Sequence, residues 1–209
     1  SVLLKAGHSK IEVARLAGIF GETLALLAQR VGPIEVVVPT VPHLLAQVTQ
    51  ATSAWPVRPR IVVEQAEKQA ALRIARAALA KSGTTTLELA LAGVPMVAAY
   101  KVSPLEAAVI KRLVRVPSYI LANLVVGQNV VPELVQNDCT PQKLADALAP
   151  LIGDTPERRR QVEAFATLDA IMEIGSRVPA ASAAEIVLGS LRRPNAAPGV
   201  PLVSNAANR

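Results

Sequence analysis

Short apolar runs alternate with longer amphipathic stretches along this chain, which predicts an α/β fold. The expected architecture is a doubly wound, parallel, Rossmann-like sheet of about six strands, with extra helices at the carboxyl end. Three observations support it. The apolar runs are continuous rather than alternating, as strands covered on both faces must be. Most are followed by a segment with helical periodicity, long enough for a crossover connection. Hydrophobic residues make up 51% of the chain and aromatic residues only 2%, so the core is built from Ala, Val, Leu and Ile.

Taken in order, Val2-Leu3-Leu4 reads as the first strand and Lys5 to Ser9 as its loop. A helix follows from about Lys10 to Gln29, with Val13, Leu16, Phe20, Leu24 and Leu27 at spacings of three and four. Gly32-Pro33 ends it. Ile34 to Val38 is the second strand, His43 to Gln50 a helix, and Arg60 to Val63 the third strand. Glu67 to Arg76 is helical and Ala77 to Ala80 is the fourth strand. A helix from Thr86 to Ala92 presents Leu87, Ala90 and Leu91 on one face, is stopped at Gly93-Val94-Pro95, and leads into a fifth strand ending at Tyr100. Pro104 to Val114 is expected to be helical, Ser118 to Leu121 a sixth strand, and Val131 to Gln136 a short helix. Thr140-Pro141 and Thr155-Pro156 each pair a capping Thr with Pro at the first helical position. A last helix spans about Ala181 to Leu191. The organisation expected is a nucleotide-binding domain over 1–153, carboxyl-terminal helices over 154–192 and a disordered Pro/Asn/Ala-rich tail over 193–209.

Composition narrows the chemistry. One cysteine, Cys139, excludes an internal disulfide, and with only His8 and His43 a metal centre is not expected. No apolar run reaches the ~20 residues of a membrane span, and the start has no signal-peptide pattern. It opens without Met on a strand-like run, as a segment of something larger would. The net charge of +6 is compatible with phosphorylated ligands or an anionic membrane surface. Nucleic acid is not expected, because aromatics are nearly absent and the basic residues are dispersed. The basic groups Lys111-Arg112-Arg115 and Arg158-Arg159-Arg160 read mainly as solvated helix faces.

The most informative stretch is KSGTTTLELALAGVP, Lys81 to Pro95. Ser82-Gly83-Thr84 falls between a predicted strand and a predicted helix. Such a turn leaves unpaired backbone N–H groups at a helix N-terminus and adds hydroxyls, which suits an anion such as phosphate. The same residues also fit a plain helix cap. Gly-x-Gly-x-x-Gly is absent, so an ordinary dinucleotide fingerprint is not supported.

The run SGTTTLELALAGVPMVAAYKVSPL, followed by KRLVRVP, NLVVGQNVVPELVQ and a Cys-Thr-Pro helix start, resembles the lipid-A-disaccharide synthase family. The weaker likeness extends from Val2 to about Leu191. The resemblance implies one half of a GT-B fold, the carboxyl-terminal half that binds the sugar-nucleotide donor. It implies an inverting glycosyltransferase that joins UDP-2,3-diacylglucosamine to 2,3-diacylglucosamine 1-phosphate (lipid X), releasing UDP, at the cytoplasmic membrane surface of a Gram-negative bacterium. No metal or other cofactor is implied, the catalytic base belongs to the other half, and homo-oligomerisation is compatible with the pattern. The competing expectation is a non-catalytic, nucleotide-binding remnant of that family.

The resemblance also places the substrate contacts. Ser82, Gly83, Thr84 and Thr86 map to the diphosphate cradle, and Glu88 to the ribose hydroxyls. Asn123, Glu133 and Gln136 map to the donor sugar or its phosphate. Family members tend to read Leu-Pro-Gly-Ser-Arg, two residues, then Glu. Aligned on Gly7 and Glu12, Ser9 occupies the arginine position and Lys10 brings a basic residue one place later. Lys is a point charge rather than a bidentate fork.

Overall fold

The computed structural model describes residues 1–5, 10–102, 118 and 120–175; for 10–12 and 169–175 it describes the backbone. The expected helices over 104–114 and 181–191, the loop from Ala6 to Ser9 and the tail from 193 lie outside the described residues.

Six parallel strands form one sheet in the order β3-β2-β1-β4-β5-β6. They are β1 (Val2–Lys5), β2 (Val36–Pro39), β3 (Arg60–Val62), β4 (Ala77–Lys81), β5 (Met96–Tyr100) and β6 (Glu133–Val135). The register runs Leu3 to Ala78 and Lys5 to Ala80 between β1 and β4, and Lys81 to Ala99 between β4 and β5. The chain winds outward from β1 to β3, then returns to β4 on the other side of β1. The β1/β4 boundary is therefore the topological switch point, where a crevice opens at the carboxyl ends of the strands.

Continuous apolar strands are explained by the two cores. Val2, Leu4, Ala77, Leu79, Val97 and Ala99 point to one face and meet helices α1 (Lys10–Val31), α2 (Leu45–Thr52) and α6 (Pro141–Ile152). Leu3, Ala78, Ala80, Met96 and Ala98 point to the other face. They meet α3 (Gln65–Ile74), α4 (Thr84–Leu91), α5 (Leu121–Val126) and α7 (Pro156–Gly175). Alternate residues of each strand thus serve opposite layers, and no position can be polar until the strand ends. The few aromatics fill large gaps: Phe20 and Trp55 on the first face, Phe165 on the second. Trp55 lies against α1 where Gly21 leaves room, since a Cβ there would come within 2.5 Å of the indole Cδ1.

Two sequence expectations change places. Leu121 opens a helix rather than closing a strand, and the sixth strand is Glu133–Val135 rather than part of a helix. Gly127, at φ 72°, ends α5 in the left-handed conformation that glycine adopts without penalty. The chain then re-enters the sheet, where Ala98 N–H donates to Pro132 O. Proline suits that entry point because no N–H is required of it there. Helix α4 also differs: it starts at Thr84, and its core face is Thr85, Thr86, Leu89 and Ala90, with Leu91 exposed. Spacing of three and four from Thr86 selects Leu89 and Ala90, and that set faces the sheet.

At the amino end of the sheet, basic side chains are structural. Arg158 Nη1 donates to Leu151 O at 2.8 Å and to Arg76 O, and Arg76 Nε donates to Ile152 O at 2.8 Å. Arg76 also pairs with Asp154. Arg158 is therefore not part of a solvated face: it ties the α6–α7 junction to the start of β4. Burial pushes the Arg158 pKa down, Arg76 beside it adds to that, and Asp154 opposes it. Gln161, also buried, brackets Met96 with both amide groups (Met96 N to Oε1 2.7 Å, Nε2 to Met96 O 3.1 Å). The capping threonines act as expected: Thr140 accepts from Lys143 N and Thr155 from Arg158 N. Ser1–Ile171 forms one compact unit.

Candidate functional site

The switch-point crevice is built from the ends of β1 and β4 and the start of α4. Ser82 extends β4 by one bond, its N–H donating to Ala99 O at 2.9 Å. Gly83 then takes φ 144° and ψ −161°, a conformation essentially reserved for glycine. That turn sends the chain directly into α4. Thr86 braces it, with N–H and hydroxyl both donating to Gly83 O (3.1 and 2.7 Å). No side chain caps the helix. The backbone N–H groups of Gly83, Thr84 and Thr85 consequently find no acceptor among the described residues. Three successive acceptor-free amides at the positive end of a helix make a place for an oxyanion. Gly83 and Thr84 are solvent-exposed, so the place is accessible.

Three lysines lie at the carboxyl ends of the central strands. Lys5 ends β1, Lys81 ends β4 and Lys101 follows β5. Lys5 Nζ lies 2.6 Å from Glu88 Oε2. Lys81 Nζ lies over the Tyr100 ring, 5.8 Å from its centroid. Lys5 read from sequence as the start of a loop, but it is the last strand residue and part of this crevice. A lysine closing an apolar strand at the switch point was the available signal.

The structure thus brings Ser82, Gly83, Thr84, Thr86 and Glu88 together. Lys10 begins α1, its side chain outside the described residues, and Gly7 lies outside them altogether.

Asn123, Glu133 and Gln136 form a second polar group. Asn123 belongs to α5, not to a strand end, and is 2% exposed. Its Nδ2 donates to Val131 O at 3.0 Å and to Glu133 Oε1 at 3.1 Å. Its Oδ1 accepts from Val130 N and Val131 N at 3.1 and 2.9 Å. Both amide hydrogens and both acceptor sites are used within the chain. Ser118 Oγ donates to the same Glu133 oxygen. Glu133 stands opposite Ala98, two residues before the end of the β5–β6 ladder. Gln136 is at the rim: it adopts φ 51° and its Oε1 accepts from Val102 N at 3.1 Å.

Solved glycosyltransferases share this architecture. The calicheamicin glycosyltransferase CalG4 superposes with a TM-score of 0.53 at 22% identity, covering 92% of this chain and 43% of its own. An α,α-trehalose 6-phosphate synthase from Burkholderia multivorans superposes with a TM-score of 0.54 at 14% identity, covering 93% and 45%. The fold is accordingly one half of the GT-B class of glycosyltransferase.

Sequence comparison is more specific. The family model described as lipid-A-disaccharide synthetase matches residues 2–187. Lipid-A-disaccharide synthases from Nitrobacter winogradskyi and Rhodopseudomonas palustris strain HaA2 are 52% and 54% identical over 94% and 90% of the chain. One from Granulibacter bethesdensis is 37% identical over 99%. The chain belongs to the lipid-A-disaccharide synthase family. It spans about half the length of the curated relatives it matches, 50% and 48% for the first two.

Proposed function

We propose that this chain forms the donor half of a lipid-A-disaccharide synthase and binds the UDP moiety of UDP-2,3-diacylglucosamine in the β1/β4 crevice. The observation that carries this reading is the set of three acceptor-free N–H groups, Gly83 to Thr85, at the switch point of a parallel sheet. The diphosphate oxygens accept from these amides, and Glu88 is within one helical turn of Thr84 for the ribose hydroxyls. Transfer to lipid X breaks the bond between the sugar anomeric carbon and the β-phosphate oxygen. Negative charge grows on the departing UDP as that bond lengthens. Fixed amide dipoles and lysines stabilise the departing charge without having to reorganise.

The remaining groups divide by reach. Gln136, which accepts from Val102 N–H just after β5, is the group assigned to the donor sugar. Asn123 and Glu133 act behind it by holding the backbone around Val130 and Val131. The base that activates the acceptor hydroxyl belongs to the other half of a GT-B pair, and the acyl chains place the reaction at the inner membrane surface. No helix among the described residues is long and apolar enough to cross a membrane. Membrane attachment in this reading is peripheral.

Isothermal titration of the chain with UDP tests the donor site, with NAD as competitor. UDP binding that NAD does not displace is the expected result; no UDP binding overturns the reading. Joining the chain to the amino-terminal half of a family member and assaying disaccharide formation separates the active enzyme from a binding remnant.

A further inference from the structure

Lys5 is an unusual residue for its position. Its side chain is only 14% exposed, at the end of a strand whose other residues are apolar and buried. Burying an ammonium is costly unless it is paired and its N–H groups are satisfied. Glu88 takes one of the three N–H groups, from a carboxylate that is itself 51% exposed. The other two find no acceptor among the described residues. A strut between α4 and β1 would be formed equally well by an apolar pair and would not need a mostly buried cation.

The direction of the side chain is set by the strand. Leu3 faces the layer containing α4, so Lys5, two residues on, faces it too. In register Lys5 stands beside Ala80, two residues before Ser82. Glu88 is four residues into α4 from Thr84, about 6 Å along the helix axis. The ammonium is therefore held close to the acceptor-free amides of Gly83 to Thr85.

We propose that Lys5 is a diphosphate-binding residue of this chain, supplying positive charge from the end of β1, with Glu88 as the counter-ion that holds it in the crevice. This rests on the donor-site reading above. Lys5 contributes charge and two donors to a phosphate oxygen, while Glu88 keeps its second oxygen for the ribose.

The test compares UDP with uridine, which lacks the phosphates, on the parent chain and on Lys5→Met, Lys5→Arg and Glu88→Gln. UDP is followed by calorimetry and the weaker uridine by NMR titration. Lys5→Met should weaken UDP roughly ten- to hundredfold, the range for one charge-assisted contact, and leave uridine unchanged. Lys5→Arg should restore most of the UDP affinity, and Glu88→Gln should weaken both ligands. Lys5→Gln gives the same comparison should the methionine variant fail to fold. If the parent binds UDP and loss of Lys5 affects neither ligand, or both equally, Lys5 is a strut and the proposal is wrong. If the parent binds no UDP, the donor-site reading falls first and takes this proposal with it.

Discussion

Two polar segments flank the carboxyl half of the same sheet, and they direct their polar atoms in opposite ways. In the cluster around Asn123, every hydrogen-bonding site of the side-chain amide ends on another group of the chain. In the turn from Ser82 to Thr85, backbone bonding stops at Ser82 N–H and resumes only at Thr86 N–H. Both segments look alike as sequence: small or amide residues beside apolar runs. What separates them is whether the donors face inward to a partner or outward to the crevice. The contrast makes one segment a structural knot and the other a receptor for an anion, and it can be broken at either end.

The largest effect is expected at the knot. Asn123→Ala leaves the N–H and the C=O of the buried residue Val131 without partners among the described residues, each costing about 1–3 kcal/mol, while Val130 N–H keeps Gln128 O. Urea denaturation should show a loss of about 3 kcal/mol or more. The folded fraction should still bind UDP with the parent's affinity. A variant that keeps its stability and loses UDP would make Asn123 a ligand contact and dissolve the contrast.

Gly83→Ala comes next and acts on the turn. A Cβ there meets nothing within 4 Å, so crowding is not the problem. The backbone is: φ 144° with ψ −161° costs a non-glycine residue about 1–3 kcal/mol. The alanine variant relieves that cost only by rotating the amides at positions 83 to 85. Stability and UDP affinity should fall together, unlike at Asn123. A stable variant with intact UDP binding would show that the amides are not the receptor.

Much of this was legible in the sequence, for physical reasons. Strands buried on both faces must be continuous apolar runs, so Val2 to Leu4, Val36 to Val38 and Ala77 to Ala80 announced themselves. The Thr-Pro caps were equally plain, because a Thr before the helix accepts from one orphan N–H and Pro at the first helical position removes another. The exchange of helix and strand between 121 and 135 was not legible. Short apolar segments such as Leu121–Val126 and Glu133–Val135 carry no periodicity that separates the two states. The turn at Ser82 was visible as a candidate, but its open amides depend on the angle at Gly83 and the brace from Thr86. Lys5 was hidden because nothing local says whether a lysine ends a strand or begins a loop.

A third substitution separates binding from stability by sign. Ser82→Asp places a carboxylate beside the N-terminus of α4. Without ligand, the helix dipole favours that charge by about 0.3–1 kcal/mol, so thermal stability should hold or rise slightly. With ligand, the same carboxylate faces the diphosphate and UDP affinity should fall at least tenfold by calorimetry, the equivalent of about 1.4 kcal/mol. Opposite signs are the mark of a receptor for anions. Equal UDP affinity in variant and parent would remove Ser82 from the site.

The smallest effect probes the rim beyond both segments, through the buried thiol of Cys139. Burial raises its pKa from the ordinary 9.0, while the nearby Lys101 charge and a backbone hydrogen bond with Tyr100 pull it partly back. A raised thiol pKa means that the folded chain keeps a proton the unfolded chain gives up. Below about pH 9 both states hold the proton and the thiol adds no pH dependence. As pH rises past that value the unfolded chain ionises first, so stability should decline, at most by about 1.4 kcal/mol per pH unit, until the folded thiol also ionises. Cys139→Ala should flatten this decline in urea titrations from pH 8 to 10 (roughly one unit either side of the ordinary value). Lys101→Met should deepen it, because removing a neighbouring cation raises the folded pKa further. If Lys101→Met leaves the decline unchanged, the Lys101 ammonium does not act at the rim of β5, and the positive charge at the crevice comes from Lys5 and Lys81.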